Sequence, residues 1–208
     1  AVAAGRAVLL ESQKENGVAV VEMGAATTSV AIFMEGFLQY FGVINIGANH
    51  ITNDIAISLA VSTEVAEEIK MKYVTAVELI DNDKLMTMRF GDESISFTKT
   101  MVNQIVEDRL IDIFEHVKKE IAIAGYEKKL PEGVVLTGGG AEMRGIERFA
   151  REHMEVATRI GLPLMDVTHI DNETKKPRFA VAIGLALMMN DDMREQETRV
   201  EEKPMGFF

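Results

Sequence analysis

An α/β fold is predicted by three stretches of the sequence. Gly133-Val134-Val135-Leu136-Thr137 is a short apolar run that breaks into Gly138-Gly139-Gly140-Ala141 and then into helix-like sequence. Val134 to Leu136 read as a buried strand, and the glycines as a turn where backbone approaches a bound group closely. A second run, Gly17-Val18-Ala19-Val20-Val21-Glu22-Met23-Gly24, ends in Ala25-Ala26-Thr27-Thr28 and returns as Ser29-Val30-Ala31-Ile32-Phe33, a hairpin with a small, hydroxyl-rich tip. Thr98 to Ala124 carries apolar residues at helical spacing. Two tips far apart in sequence, each at the end of an apolar strand, are what a nucleotide cleft lined by main-chain amides and hydroxyls requires.

The remaining elements follow in order. Ala1 to Leu10 is a small-residue helix without an N-cap before it, which reads as the tail of a helix from a longer protein. Glu11 to Asn16 is a polar loop. Strands Gly17 to Gly24, Ser29 to Met34 and Phe37 to Ile46 form a three-stranded antiparallel meander, with Glu35-Gly36 as a turn. A helix with Ile51, Ile55 and Leu59 on one face follows, capped by Asn49 or Thr52. Ser62-Thr63-Glu64 opens the next helix, which runs to about Tyr73. Short strands and tight turns are expected between Thr75 and Phe97. The buried stripe of the long helix is Met101, Ile105, Leu110, Ile113, Val117 and Ile121, and Gly125 stops it. Glu142 to His153 is a helix, Val156 to Ile160 a strand, and Thr168 to Pro177 a polar loop. Phe179 to Met189 is the last apolar helix, in which Gly184 allows close packing. Asn190 to Lys203 is a charged, mobile linker, and Pro204 to Phe208 turns apolar again.

Composition narrows the classes. The 208 residues are 47% apolar and 6% aromatic, which is globular rather than disordered. Cysteine is absent, so disulfides, thiolate metal sites and a cysteine nucleophile are excluded. A formal charge of -11 argues against nucleic acid as a partner, because phosphate neutralisation needs clustered cations. No apolar run approaches the ~20 residues of a membrane span. The four histidines, His50, His116, His153 and His169, have no metal-ligand spacing and read as structural or surface groups. The 13 methionines follow apolar stripes, which is core filling rather than a binding groove.

Several motifs in sequence order resemble the actin-like ATPase superfamily and, within it, the FtsA family. Val20 to Thr28 is similar to that superfamily's second phosphate hairpin. Val43-Ile44-Asn45-Ile46-Gly47-Ala48-Asn49-His50-Ile51-Thr52-Asn53-Asp54-Ile55-Ala56 resembles the entry to its upper subdomain, Ala66 to Tyr73 its ribose-facing helix, and Leu136 to Ala141 its adenosine loop. Gly125-Tyr126 and Leu130 to Thr137 are again FtsA-like. The resemblance covers nearly the whole chain. It implies half of an actin-like (ribonuclease H-like) ATPase fold, a mixed sheet with flanking helices plus a small inserted α/β subdomain. Residues 1–47 and 106–189 would be subdomain 2A, 48–105 subdomain 2B, and 190–208 the linker to a membrane-targeting helix. The first half of the fold, with the other phosphate loop, would precede Ala1, so this half alone is expected not to hydrolyse ATP.

By the same resemblance, Gly24, Ala25, Ala26, Thr27 and Thr28 would hold phosphate, with Mg²⁺ bridging phosphate oxygens and no direct protein ligand. Gly138, Gly139, Gly140 and Ala141 would let base and ribose lie on backbone, with Met143 near the adenine. Gly47 and Asn49 would edge the cleft, and Glu67 and Lys70 would reach the ribose. Glu22 stands where an aspartate organising metal-bound water is usual, and its extra methylene displaces the carboxylate by ~1 Å, a shift to which catalytic positioning is sensitive. Ala25 and Ala26 stand where glycines are common, which stiffens the tip. ATP binding is expected to survive and hydrolysis to be slow or absent. Taken alone, the three glycines also fit a plain flexible turn, Thr27-Thr28 an ordinary hairpin tip, and Glu67 and Lys70 a solvated helix face.

The resemblance also implies partners. The FtsA family binds the C-terminal tail of the tubulin-like FtsZ on its upper subdomain, polymerises with itself, and reaches the cytoplasmic membrane through a C-terminal amphipathic helix. Val106-Glu107-Asp108-Arg109-Leu110 is similar to the family pattern around a tail-binding arginine, making Arg109 the candidate. The alternative reading pairs Arg109 with neighbouring aspartates. The function implied is an ATP-binding, filament-forming adaptor that tethers FtsZ to the membrane at the division site. Rival readings are a PilM-like scaffold of type IV pilus assembly and half of a chaperone-type or sugar-kinase-type ATPase.

Overall fold

The computed structural model describes residues 1–76, 85–91, 93–164 and 172–201. Strands β1 (Val18–Met23), β2 (Thr28–Met34) and β3 (Phe37–Ile44) form the expected antiparallel meander. β6 (Val134–Thr137) then pairs parallel to β1, and β7 (Thr158–Ile160) parallel to β6. The result is a mixed five-stranded sheet of order β3-β2-β1-β6-β7. β1 and β6 are apolar almost throughout because helices cover both faces of the sheet.

The alternation of β1 assigns its side chains to two cores. Val18 and Val20, with Ala31, Phe33 and Val135, pack under α1 (Val2–Val8) and α7 (Ala180–Glu201). Ala19, Val21 and Met23 join the larger cluster formed with α3 (Ala48–Leu59), α4 (Thr63–Tyr73), α5 (Lys99–Ile123) and α6 (Ile146–Met154). Gly184 performs the expected close packing: a Cβ there would lie 1.7 Å from the Ala3 carbonyl oxygen. A separate hairpin, β4 (Leu85–Phe90) and β5 (Glu93–Thr98), occupies the stretch where short strands were expected, and Phe97 of β5 meets Tyr73 edge-on. α5 runs unbroken across 105/106, and one apolar cluster continues from Ile51, Ile55 and Ile69 through Val106 to the sheet.

Five expectations are corrected. Residues 11–16 form a helix, α2 (Glu11–Asn16), rather than a loop, begun by Leu10 N–H donating to Gln13 Oε1. The N-cap of α3 is Gly47, not Asn49 or Thr52, and its N–H donates to His50 Nδ1. The buried stripe of α5 is Val102, Val106, Leu110, Ile113, Phe114, Val117 and Ile121. Met101 and Ile105 precede that register by one residue, about 100° around the helix, so Met101 is exposed and Ile105 half-buried. The helix expected from Glu142 starts at Ile146, because Gly145 takes a left-handed φ of 80°. Finally, the charged stretch after Asn190 continues α7 to Glu201 instead of forming a linker. It holds no Gly or Pro before Pro204, is rich in the helix formers Glu, Gln and Arg, and is tied to α1 by Arg6 bonding Asp191 at 2.9 Å. The expected ending Gly206-Phe207-Phe208 and His169 lie outside the described residues. The methionine reading holds only in part: Met23, Met88 and Met154 are buried, whereas Met71, Met101, Met189 and Met193 are exposed.

Candidate functional site

The parallel pairing of β1 with β6 sets Glu22 beside Thr137. The two glycine-led turns, 24–27 and 138–142, therefore emerge side by side at the carboxyl ends of the strands, where open α/β sheets bind ligands. Gly138 takes φ 86°, and a Cβ there would stand 2.5 Å from the Met23 carbonyl oxygen and 2.7 Å from Glu22 Oε1. Gly140 is pressed on the Met23 side chain, while a Cβ on Gly139 would meet nothing within 4 Å. Of the three glycines, two permit close packing of the turn and the middle one opens to the cleft. Thr137 Oγ1 and Gly138 N–H both donate to the Pro177 carbonyl, each at 3.1 Å, which draws residues 177–179 to the same edge.

The hairpin tip is gripped from behind by the start of α3. Ala48 and Asn49 N–H donate to the Gly24 and Ala25 carbonyls at 2.9 and 2.8 Å. Gly47 lies so close that a Cβ would be 2.6–2.8 Å from three backbone atoms of the tip. Thr28 is fully buried, and its hydroxyl donates to the Ile46 carbonyl at 2.8 Å, so it holds the strand end together rather than facing the cleft. Half-buried Thr27 carries the other hydroxyl of the tip. Glu22 is half-buried and accepts from Ser29 Oγ at 3.3 Å.

The upper wall comes from α4. Lys70 is nearly enclosed, its side chain 8% exposed, and its ammonium reaches Glu67 Oε2 at 2.6 Å, Thr52 Oγ1 at 2.8 Å and the Ala48 carbonyl at 3.3 Å. All three ammonium protons are thus committed inside the protein. Burial would raise the Glu67 carboxyl's pKa, but hydrogen bonds from Lys70 and Thr52 and the Lys70 charge outweigh it and hold the group below the usual range. Lys70 is therefore a strut for Glu67, which remains half-exposed to the cleft.

These elements enclose a cleft of about 350 Å³. It brings together eight of the expected nucleotide residues, Gly24, Ala25, Asn49, Glu67, Lys70, Gly139, Gly140 and Met143. Ala26, Thr27, Thr28, Gly47, Gly138, Ala141 and Glu22 do not line it; several of them buttress the lining instead. The sequence reading missed Met71 and Val74, which add apolar lining to that of Met143, and missed Arg144, Glu142 and Arg178. Arg178 N–H and Nε donate to Glu142 Oε1 at 3.3 and 2.7 Å, and its Nη2 to Glu142 Oε2. The bonded guanidinium holds the Glu142 carboxyl below the usual range. Thirty-six residues separate the pair, so no local pattern announces it.

Arg109 lies elsewhere, in a shallow groove between α3 and α5 lined by Asp54, Ile57, Ser58, Ile105, Asp108 and Asp112. Its Nε and Nη2 bind Asp54 at 2.6 and 3.1 Å, and Nη1 binds Asp112 at 2.8 Å. These bonds, Asp54's foremost, raise the guanidinium's already high pKa. Of the adjacent aspartates that the alternative reading gave to Arg109, Asp112 binds it while Asp108 accepts from Gln104 instead, and the bidentate partner is Asp54 of α3. His50, His116 and His153 are structural, with Nδ1 bonded to the Gly47 amide, the Asp112 carbonyl and the Phe149 carbonyl. Among the described residues no cluster of three metal-ligating side chains occurs and no helix is long and apolar enough to cross a membrane.

The family model described as cell division protein FtsA matches residues 19–184. The FtsA of Pseudomonas aeruginosa is 33% identical over 189 residues, covering 89% of this chain and 45% of that protein. The FtsA of Borreliella burgdorferi is 34% identical, covering 100% of this chain and 54% of its own length. The chain thus spans about half the length of the curated relatives it matches. Among solved structures, ADP-bound MreB5 of Spiroplasma citri superposes with a TM-score of 0.72 at 17% identity, covering 94% of this chain and 60% of that one. The PilM-PilN type IV pilus biogenesis complex gives 0.65 at 20% identity, over 86% and 47%. At such identities these two likenesses show the fold alone. The fold is actin-like, and the chain belongs to the FtsA family of cell division proteins.

Proposed function

We propose that the strand-end cleft is half of an ATP site, and that the chain is the 2A–2B half of an adaptor that tethers FtsZ filaments to the cytoplasmic membrane. The observation that carries this reading is the convergence of the 24–27 tip, the α4 carboxylate and the 138–143 turn on one cleft. The residues fit a nucleotide. Gly139 leaves room for a group to lie on backbone. Met71, Val74 and Met143 offer apolar surface to a base, with the Arg144 and Arg178 guanidinia beside it. Glu67, held ionised by Lys70 and Thr52, accepts hydrogen bonds from ribose hydroxyls. Main-chain amides of the 24–27 tip face phosphate, and Mg²⁺, held by phosphate oxygens and water, supplies charge neutralisation when bound. Glu22 orients water near that tip. The proposal is supported by the nucleotide-bound state of structural neighbours, MreB5 with ADP or AMPPNP and MamK with AMPPNP.

In this proposal ATP closes the other half of an actin-like fold onto this one and favours self-association into filaments, a shift of population rather than a metabolic turnover. In this proposal residues 1–47 and 106–189 are subdomain 2A and 48–105 subdomain 2B. The FtsZ tail docks in the α3–α5 groove against Ile57 and Ile105, with Arg109 taking a tail carboxylate only by exchanging it for Asp54. Membrane attachment follows from a helix beyond α7. The test is fluorescence titration of a methylanthraniloyl-labelled ADP into the 208-residue chain and its Glu67→Ala and Met143→Asp variants. Saturable binding weakened by both substitutions is expected. Binding unaffected by either, with all three proteins folded, would overturn the assignment of the cleft. Anisotropy of a labelled FtsZ tail peptide, with Arg109→Glu as comparison, tests the partner: no binding to the folded, unsubstituted chain removes the tether reading and favours a PilM-like scaffold.

A further inference from the structure

The α3–α5 groove, about 430 Å³ in volume, is lined by three aspartates and a single cation. That cation, Arg109, is divided between two of them: its Nε and Nη2 donate to Asp54 and its Nη1 to Asp112. Asp108 is exposed and accepts from Gln104. One guanidinium thus faces three carboxylates, and the lining keeps a net negative charge. His116, whose Nδ1 lies 3.4 Å from Asp112 Oδ1, would not cancel that charge even when protonated. Apolar surface adjoins the acids. Ile57 lines the groove while 80% exposed, Ile105 lines it from α5, and Met101, 45% exposed, stands one turn before Ile105 on the same face of α5. Asp108 and Asp112 follow Ile105 by one and two turns, roughly 5 and 11 Å along the helix axis.

Charge decides which peptide this surface takes. A ligand carboxylate reaches the Asp54-bound edge of Arg109 only by breaking the bonds to Asp54, which leaves that aspartate without its guanidinium, and it meets like charge from Asp108 and Asp112. A lysine or arginine reaches Asp108 with the Arg109 bonds intact, and it moves the lining toward neutrality. An aliphatic side chain set on Ile57 and Ile105 removes apolar surface from water at the same time. The groove is therefore complementary to a segment that carries both groups.

We propose that this groove selects its peptide by a cation: an aliphatic side chain packs on Ile57 and Ile105, and a lysine or arginine roughly 5–10 Å from it lies at Asp108 and Asp112. The inference rests on the reading of the groove as the FtsZ tail site, and it goes further by making the tail's cations, not its carboxylates, the charge that is read. Arg109 is then a positioning residue, which holds Asp54 and Asp112 in place. The test compares three labelled tail peptides by anisotropy on the 208-residue chain: the unaltered tail, one with every Lys and Arg changed to Gln, and one with every Asp and Glu changed to Asn and Gln. Loss of the cations should weaken binding by about 2–5-fold at low salt and by less at high salt. Loss of the carboxylates should leave binding equal or tighter. Asp108→Asn, at an exposed position, should remove the advantage of the cation-bearing peptides, and Ile57→Ser should weaken all three alike. A tail indifferent to its cations, or one weakened only by loss of its carboxylates, overturns this inference and leaves the tail site standing. No binding of the unaltered tail by the folded chain overturns both.

Discussion

Gly47→Ala isolates a contact that holds the candidate cleft in shape. Gly47 has φ -150°, an extended backbone open to any residue, so alanine carries no conformational penalty there. Its Cβ would nevertheless lie 2.6 Å from the Ala25 carbonyl oxygen, 2.7 Å from the Thr27 nitrogen and 2.8 Å from the Gly24 carbonyl oxygen. All three are backbone atoms, and no side chain can rotate away to make room. To reach even a tight contact of about 3.0–3.4 Å, tip and helix must part by roughly 0.4–0.8 Å, in a region packed at crystal-like density. Such overpacking costs about 1–3 kcal/mol. The parting also strains the Ala48 and Asn49 hydrogen bonds to the tip, each contributing about 0.5–1.5 kcal/mol. Together the loss is about 2–4 kcal/mol. With a urea m-value near 2 kcal/mol/M, the unfolding midpoint should fall by about 1–2 M at unchanged slope. Gly139→Ala, the same chemical change in the same cleft, places its Cβ in open space and should stay within about 0.5 kcal/mol of the parent. Equal midpoints for the two variants, or a larger loss for Gly139→Ala, would refute the reasoning.

Three further outcomes follow from the same geometry. Thr28→Val leaves the Ile46 carbonyl without its buried donor and should destabilise by about 1–2 kcal/mol, whereas Thr28→Ser keeps the hydroxyl and most of the stability; urea midpoints distinguish them. The Arg109–Asp54 pair is partly exposed on both sides, so an Arg109→Gln/Asp54→Asn double-mutant cycle should return a coupling of at most about 1 kcal/mol. That coupling should shrink in high salt, and a null coupling at low salt would remove the pair as the tie between α3 and α5. The Glu142 carboxyl is held below the ordinary glutamate value of 4.5 by its hydrogen bonds to Arg178. A folded-state pKa below the unfolded one gives stability that is present above the unfolded value and is lost as pH falls through the folded value. Stability should therefore decline below pH 4.5, and Glu142→Gln should make that acid decline shallower; identical acid profiles would contradict the assignment.

Much of this architecture was legible in the chain itself. Short apolar runs ended by glycine and the Glu35-Gly36 turn specify the meander and β6, because strands covered on both faces read as continuous apolar runs. Ser62 and Thr98 announce their helices through side chains that accept from Val65 and Met101 N–H. Most of the cleft residues were visible too, the glycines as local signals at strand ends and Glu67 and Lys70 only through the resemblance of residues 66–73 to a ribose-facing helix.

Tertiary structure decided what no window of neighbouring residues contains. The parallel pairing of β1 with β6 joins segments more than a hundred residues apart, and it alone sets Gly24 beside Gly138. The Glu142–Arg178 clasp exists only because Thr137 and Gly138 draw Pro177 to the sheet edge. Thr28, apparently a tip hydroxyl, became a structural donor once burial demanded a partner for the Ile46 carbonyl. Likewise the charged residues after Asn190 were read as a linker from their lack of an apolar face, yet they extend α7, which is already nucleated by its packing on α1. Local chemistry determined which residues could form strands, caps and a nucleotide-like tip; long-range contacts determined which of them face the cleft and which only hold it in shape.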